Sequence, residues 1–199
     1  MFRKAFIVSA VVLFFSITAG SLSAQTVPSA KQDVLPFEIG GGVSVFNPSL
    51  GSGDMLGYTI WGDYSPSFLT SRAHGLAIEG QFQDINFNRS SSQPNVRETS
   101  FLGGANYSWQ HFKNFYPMAS AKVGFGAIDF LFNNDYTYTH DSRTIYSVSG
   151  GAQYRLMGNV WLRGNYEFEW WPSLFNETLH PRGFTAGVAY DFRLPHRRF

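Results

Sequence analysis

The sequence predicts an all-β fold, an eight-stranded antiparallel up-and-down transmembrane β-barrel. Eight segments alternate apolar residues with small or polar ones at the two-residue period of a β-strand. The connections between them differ in length as in a barrel with long loops at one end and short turns at the other. The chain is also rich in aromatic residues, with 20 Phe, 10 Tyr and 5 Trp among 199 residues, a composition that favours strands.

The N-terminus has the three parts of a secretory signal peptide. Arg3 and Lys4 give a positive start, residues 5–19 form an apolar run, and a stretch of small residues follows as a cleavage site. The apolar run is short for a membrane-spanning helix. We therefore expect residues 1–24 to be removed on export and residues 25–35 to form a periplasmic N-terminal segment. Because the chain has no Cys, the exported fold is expected to hold without disulfides.

The predicted barrel occupies residues 36–193. Its eight strands cover residues 37–46, 55–64, 74–85, 98–109, 116–128, 143–155, 160–170 and 185–192. In the first four strands, the apolar face carries Phe37, Ile39, Val43 and Val45; Leu56, Tyr58, Ile60 and Tyr64; Leu76, Ile78 and Phe82; and Phe101, Ala105, Tyr107 and Trp109. In the last four, it carries Ala119, Ala121, Val123 and Phe125; Tyr146, Val148, Ala152 and Tyr154; Leu162, Tyr166, Phe168 and Trp170; and Ala186, Val188, Tyr190 and Phe192. The opposite faces are mostly small or polar, so each strand is predicted to separate two different environments.

The connections complete the barrel pattern. With both termini in the periplasm, short inner turns are predicted at residues 110–115 and 156–159, and a longer inner connection at residues 65–73. Four surface loops are predicted at residues 47–54, 86–97, 129–142 and 171–181.

The size of the side chains indicates which face is inside. Eight strands enclose room only for packed side chains or one small ligand, and the Phe, Tyr and Trp side chains of the apolar face are too bulky for that space. The apolar face is therefore predicted to meet lipid. Trp61 and Trp161 fall on the inner face and count against this scheme. Aromatic residues near strand ends are expected to form the interfacial girdles: Phe46, Tyr64, Trp109, Phe115, Tyr154, Trp170, Trp171 and Phe192.

Charged residues on the predicted inner faces nearly balance in sign. They are Glu38, Glu79, Glu98, Glu167, Glu169 and Asp191 with Lys122, Arg143, Arg155, Arg163 and Arg193. Because unpaired charges are costly in a narrow, poorly hydrated interior, we expect an ion-pair network that closes the lumen. Glu38 and Arg193 are expected to meet near the periplasmic end, and four members to lie near the middle: Glu79, Lys122, Arg163 and Glu167. Whether these pairs only fill the interior or act as a gate stays open.

Other classes of function find little support in the sequence. The net charge is +1 and the basic residues form no stripe, so no nucleic-acid partner is predicted. The five His residues show no metal-ligand spacing, and neither a metal nor another cofactor is expected. His140 and Ser142 resemble the His-x-Ser of the lipid A deacylases, but the Glu that this family needs falls near Tyr154. We therefore predict that the protein is not an enzyme.

The last strand resembles the C-terminal signature by which the outer-membrane insertion machinery recognises barrels. Gly187, Tyr190 and Phe192 hold the matching positions, and a short basic tail follows at residues 194–199. With the leader, the alternating segments and the loop asymmetry, this signature makes the chain similar to the small outer-membrane β-barrel family that includes the transmembrane domain of outer membrane protein A. The resemblance implies location in the outer membrane, contact with its lipids and lipopolysaccharide, and the insertion machinery as a partner.

The function expected from these features is non-enzymatic. A barrel with a lumen closed by ion pairs would present four surface loops, able to bind a surface ligand, and serve envelope integrity or surface adhesion. A narrow pore for small or hydrophobic solutes is the alternative, and a lipid A-modifying enzyme is the third hypothesis.

Overall fold

A computed structural model of the protein describes residues 36–49, 53–71, 73–88, 95–131, 138–174 and 177–192. The strands are β1 (Phe37–Asn47), β2 (Met55–Tyr64), β3 (Leu76–Asn88), β4 (Asn95–Ser108), β5 (Phe115–Leu131), β6 (Tyr138–Met157), β7 (Val160–Leu174), β8 (Glu177–Leu179) and β9 (Arg182–Asp191). One helical turn, α1 (Ser67–Thr70), lies between β2 and β3. Within the described ranges, no helix has the length and apolar character needed to cross a membrane.

Eight of the strands close into a barrel, as the sequence predicts. β1 to β7 pair antiparallel in chain order, β7 also pairs with β9, and β9 pairs with β1. The closing pair runs from Glu38 opposite Asp191 to Asn47 opposite Arg182. β8 is a short addition that pairs with the end of β7. The predicted eighth strand is therefore β9, which begins at Arg182 rather than at residue 185.

The two ends of the barrel carry different connections. At one, which we call the turn end, β1 begins, β9 ends, and the chain turns from β2 to β3, from β4 to β5 and from β6 to β7. The tightest of these turns contains Gly158, whose φ of +50° lies in the left-handed region that glycine adopts without strain. The opposite end, which we call the loop end, carries the remaining connections.

The strands extend further at the loop end than the sequence predicts. β5 reaches Leu131 and β6 starts at Tyr138, so much of the predicted loop 129–142 is paired strand. β7 continues to Leu174 and forms a short hairpin with β8 inside the predicted loop 171–181. These segments mix polar and apolar residues without a clear alternation, and each additional cross-strand pair satisfies backbone donors and acceptors, which local sequence does not reveal.

The bulky apolar face points outward, as its size predicts. Phe125 and Val43 are 70% and 60% exposed, whereas small and polar side chains such as Ser44, Ser120 and Ser149 are buried inside. In water a continuous apolar exterior of this kind would be unstable, so it requires a lipid environment.

Four large aromatic side chains nevertheless lie inside the barrel: Phe46, Trp61, Trp161 and Trp171. Glycines on other strands make room for two of them, since a Cβ on Gly40 would overlap the indole of Trp61 and one on Gly126 that of Trp171. The expectation that Phe46 and Trp171 belong to the exterior girdles is wrong. Both fall at inward-facing positions of their strands, alternating with exposed neighbours.

Candidate functional site

The charged centre of the barrel interior is the candidate functional site. Arg163 on β7 donates from Nη1 to Asp63 Oδ2 at 3.1 Å and from Nη2 to Glu79 Oε2 at 2.5 Å. Lys122 on β5 places Nζ 3.2 Å from Glu79 Oε1 and 2.9 Å from Glu167 Oε1. Glu79 therefore bridges both cations. All five side chains are buried, and we call them the ion cluster.

Neutral side chains add hydrogen bonds to the ion cluster. Gln81 donates from Nε2 to Glu167 Oε2 at 2.9 Å, and its Oε1 accepts from Lys122. Ser147 also donates to Glu167. These bonds offset part of the cost of removing the charges from water, while Glu79 Oε1 and Arg163 Nε have no hydrogen-bond partner among the described residues.

Aromatic rings pack beside the ion cluster in the part of the bore nearer the turn end. The guanidinium Cζ of Arg163 lies 4.9 Å from the ring centroid of Trp61, a cation–π distance. Trp61 packs with Trp161 and Ala189, and the ring of Tyr116 lies 4.9 Å from that of Trp161. We call these four packed residues, Trp61, Trp161, Ala189 and Tyr116, the aromatic layer.

Two more carboxylates and a group of apolar side chains fill the bore on the loop-end side. Trp171 Nε1 donates to Glu169 Oε2 at 2.6 Å. Neither carboxylate oxygen of Glu98 has a hydrogen-bond partner among the described residues. The apolar side chains on this side form a group that we call the apolar plug: Phe46, Met55, Ile85, Val96, Leu102, Ile128, Ile145, Trp171 and Leu179. Apolar constrictions oppose the passage of ions because water readily leaves them.

Carboxylates outnumber cations inside the described part of the barrel. Lys122 and Arg163 are its buried cations. The buried carboxylates facing the bore are Glu38, Asp63, Glu79, Glu98, Glu167 and Glu169. The predicted near-balance of charge is therefore wrong for the buried interior. Because a buried negative charge without a partner is costly, this interior favours additional positive charge, as bound protons or as cations.

The structure brings together the predicted central residues Glu79, Lys122, Arg163 and Glu167. Glu169 lies on the loop-end side of them, on the same strand as Glu167. Glu38 lies nearer the turn end, where Gln153 Nε2 donates to its Oε1 at 2.8 Å.

Three other predicted members are placed differently. Arg143 is wrong as a lumen residue: its side chain is 48% exposed and lies 3.4 Å from Asp141, because β6 continues past the sealed part of the bore. Arg155 sits at the turn end, where its Nε donates to the carbonyl of Gly158 at 2.7 Å. Asp191 is partly buried at the same end, and Arg193 lies outside the described residues.

The prediction missed Asp63 and the apolar plug. Asp63 shares the inner face of β2 with Thr59 and Trp61, so the alternation of residues along this strand already indicated that Asp63 faces the bore. The plug residues Phe46 and Met55 also occupy inward positions. Phe46 and Trp171 were predicted on the exterior because they are bulky aromatic residues near strand ends.

His140 contacts an acidic residue on the extended β5–β6 hairpin. Its Nδ1 lies 2.5 Å from Asp129 Oδ1, and the two residues are register partners. Ser142 is exposed two residues further on. The described ranges hold no group of three or more His, Asp or Glu side chains suited to a metal ion.

The comparison with protein families decides the kind of protein. The family model of the outer membrane protein beta-barrel domain matches residues 12–192. The chain belongs to this family. The barrel accordingly lies in the outer membrane, and its apolar exterior is the surface in contact with lipid.

Solved structures of small outer-membrane barrels share the fold. Neisserial surface protein A is 15% identical, with 78% of this chain and 97% of that chain covered and a TM-score of 0.63. Ail of Yersinia pestis in a bilayer nanodisc is 14% identical, with 77% and 97% covered and a TM-score of 0.50. The N-terminal barrel of OprF from Pseudomonas aeruginosa is 14% identical, with 77% and 97% covered and a TM-score of 0.48. Among curated proteins, no relative matches the sequence.

The family's C-terminal signature occupies the strand that closes the barrel. Gly187 on β9 comes so close to β1 that a Cβ would overlap the carbonyl of Gly41. Tyr190 and Phe192 are exposed on the outer face, with ring centroids 4.9 Å apart. Their recognition by the insertion machinery stays a prediction.

Proposed function

We propose that this protein is a closed, non-enzymatic outer-membrane barrel that acts through its outer surface, in envelope integrity or surface adhesion. The filling of the bore is the observation that carries the proposal. The aromatic layer and the ion cluster pack together towards the turn end of the bore, and the apolar plug fills it towards the loop end. Passage of a solute would require all three to rearrange, and close-packed interiors resist such rearrangement.

The projecting β5–β6 hairpin supports a role at the cell surface. Outer-membrane barrels keep short turns on the periplasmic side, so we place the turn end in the periplasm and the loop end outside. β5 and β6 contain 17 and 20 residues, whereas a strand needs only about 9–11 residues to cross the membrane. The hairpin therefore extends well beyond the hydrocarbon region and offers exposed polar residues such as His140 and Arg143 to a ligand.

Planar-bilayer recording tests whether the bore is closed. We expect no conductance steps from the wild-type protein. Arg163→Ala should also stay silent, because the apolar plug remains when the ion cluster is broken. Steps in the wild type, or steady current in Arg163→Ala, would support the alternative of a narrow pore, gated by the ion pairs in the second case.

A shortened hairpin separates adhesion from envelope integrity. Ile128 and Asp141 are register partners, so a two-residue Asn-Gly turn between them removes the projecting part and keeps the barrel. In a deletion strain, the wild type and the shortened protein are compared for detergent resistance and for adherence to epithelial cells. Loss of adherence with normal detergent resistance assigns the hairpin to adhesion. If deletion of the whole gene changes neither property, the proposed role is wrong.

The non-enzymatic part of the proposal has its own test. Mass spectra of lipid A should be the same in the wild type, the deletion strain and a strain with Ser142→Ala. Loss of an acyl-chain modification in both altered strains would instead assign lipid A chemistry to His140 and Ser142.

A further inference from the structure

A polar vestibule opens at the turn end of the barrel. It is a pocket of about 240 Å³ that reaches from the turns of the chain to the aromatic layer. Its inner lining includes Glu38, Asp63, Asn106, Tyr116, Gln153 and Trp161. The function proposed above uses some of these side chains to close the bore but assigns no ligand to the pocket.

Asn106 offers the vestibule a buried hydrogen-bond acceptor. Its residue is only 2% exposed, and its Nδ2 donates to Asp63 Oδ1 at 3.3 Å. This bond fixes the amide so that Oδ1 is the remaining polar atom, and Oδ1 has no hydrogen-bond partner among the described residues. A buried acceptor without a donor is costly, so the site is suited to a ligand that brings an N–H group.

The charges around the vestibule favour a positive ligand. Glu38 and Asp63 line it, and Glu79 is the register partner of Asp63 on β3 and binds the same guanidinium of Arg163. Arg163 is the buried cation that faces these three carboxylates, and it is already bonded to two of them. Arg155 lies in an adjoining pocket at the rim, next to Asp191. The balance inside the vestibule is therefore negative.

Aromatic rings complete a cradle for an organic cation. Trp161 and Tyr116 line both the vestibule and the adjoining pocket. The Cζ of Arg155 already lies 5.7 Å from the centroid of Trp161, so this ring accepts a guanidinium group in the protein itself. Carboxylates, a carbonyl acceptor and ring faces around one small pocket are the groups that recognise ammonium and guanidinium compounds.

We propose that the vestibule binds a small organic cation through a guanidinium group. Its N–H donors would bond to Asn106 Oδ1 and to the carboxylates of Glu38 and Asp63, and its carbon atoms would lie against Trp161 and Tyr116. The volume suits a molecule of about the size of an arginine derivative. The same guanidinium chemistry is present in Arg197 and Arg198 of the chain's own C-terminal tail.

Calorimetric titration of the mature protein in detergent micelles tests this site. The two probes are argininamide and citrullinamide, which have nearly the same shape but differ in charge. We expect saturable binding of argininamide and at least about tenfold weaker binding of citrullinamide, because hydrogen bonds to charged groups are the stronger ones. Glu38→Gln should weaken argininamide by about tenfold. Glu98→Gln makes the same chemical substitution far from the vestibule and should leave the affinity for argininamide unchanged.

The outcomes show whether the vestibule is open to a free ligand or is occupied by the C-terminal tail of the chain. If argininamide binds only after Arg197 and Arg198 are both replaced by Gln, the site is real and the tail occupies it. The proposal is overturned if neither protein binds argininamide, if both probes bind equally, or if Glu38→Gln and Glu98→Gln weaken binding to the same degree. The comparison of the two probes on the wild type remains decisive even if the Glu38 variant fails to fold.

Discussion

Replacing Lys122 by Met should destabilise the barrel strongly. The Nζ atom of Lys122 lies 2.9 Å from Glu167 and 3.2 Å from Glu79, and these side chains are fully buried. At an effective dielectric constant of about 20, each attraction is worth roughly 5 kcal/mol before the desolvation of the charges is subtracted. Removal of one partner from a buried ion pair costs about 3–5 kcal/mol, because the other charge is left uncompensated. We expect a loss of this size in the free energy of unfolding.

Urea unfolding in lipid vesicles, followed by tryptophan fluorescence, measures this loss. Lys113→Met is the matched control, because it makes the same chemical change at an exposed residue in the turn between β4 and β5. The control should leave stability unchanged. Adding Glu167→Gln to Lys122→Met should recover part of the loss, with a coupling of about 1–3 kcal/mol, since one of the uncompensated charges is then removed.

Two outcomes would refute this reasoning. If Lys122→Met costs no more than the control, the ion cluster does not contribute to stability. If the double variant shows no coupling, the cost of the single change comes from packing rather than from the stranded carboxylates.

Two further predictions concern the packing of the interior. Gly40→Ala should cost about 1–3 kcal/mol in urea unfolding, since its Cβ would overlap the indole of Trp61, whereas Gly80→Ala, which has open space around it, should not destabilise. Equal effects of the two changes would contradict the close approach. Trp171→Ala should cost about 3–5 kcal/mol, as expected for a fully buried Trp, and the shift of the folded band on unboiled gels measures it without fluorescence. The neighbouring Trp170→Ala, on the lipid-facing side, should lose less stability; a larger loss there would mean that the two faces of β7 are assigned the wrong way round.

The sequence determines the faces of the strands better than their lengths. The alternation of residues alone places Arg163, Glu167 and Glu169 on the inner face of β7, because residues two apart in a strand share a face. Parity does not give height along the barrel. Arg143 has the inward parity of β6 but lies beyond the sealed bore, since the pairing of Asp129 with His140 extends the hairpin. Pairing of this kind depends on a partner strand and cannot be found in local composition.

The sequence of a single strand also does not reveal which residues contact one another across the bore. Trp61 counted against the predicted scheme because an indole is large for the interior of an eight-stranded barrel. It fits because Gly40, its register partner on β1, leaves the space that a side chain would fill. Likewise, the bond between Arg163 and Asp63 joins strands that are not neighbours in the sheet. Such complementarity becomes visible only when the register of the whole barrel is known.

The strands that the ion cluster connects constrain how the barrel is assembled. Its contacts join β2 with β7, β3 with β7, β3 with β5 and β5 with β7, and in none of these four pairs are the two strands adjacent in the sheet. A single hairpin that entered the bilayer alone would thus carry charged side chains into hydrocarbon without their ion-pair partners. Stepwise insertion, one hairpin after another, is accordingly disfavoured. Because the charges are paired only when β2, β3, β5 and β7 face one another, we expect the first and last strands to pair as the cluster forms.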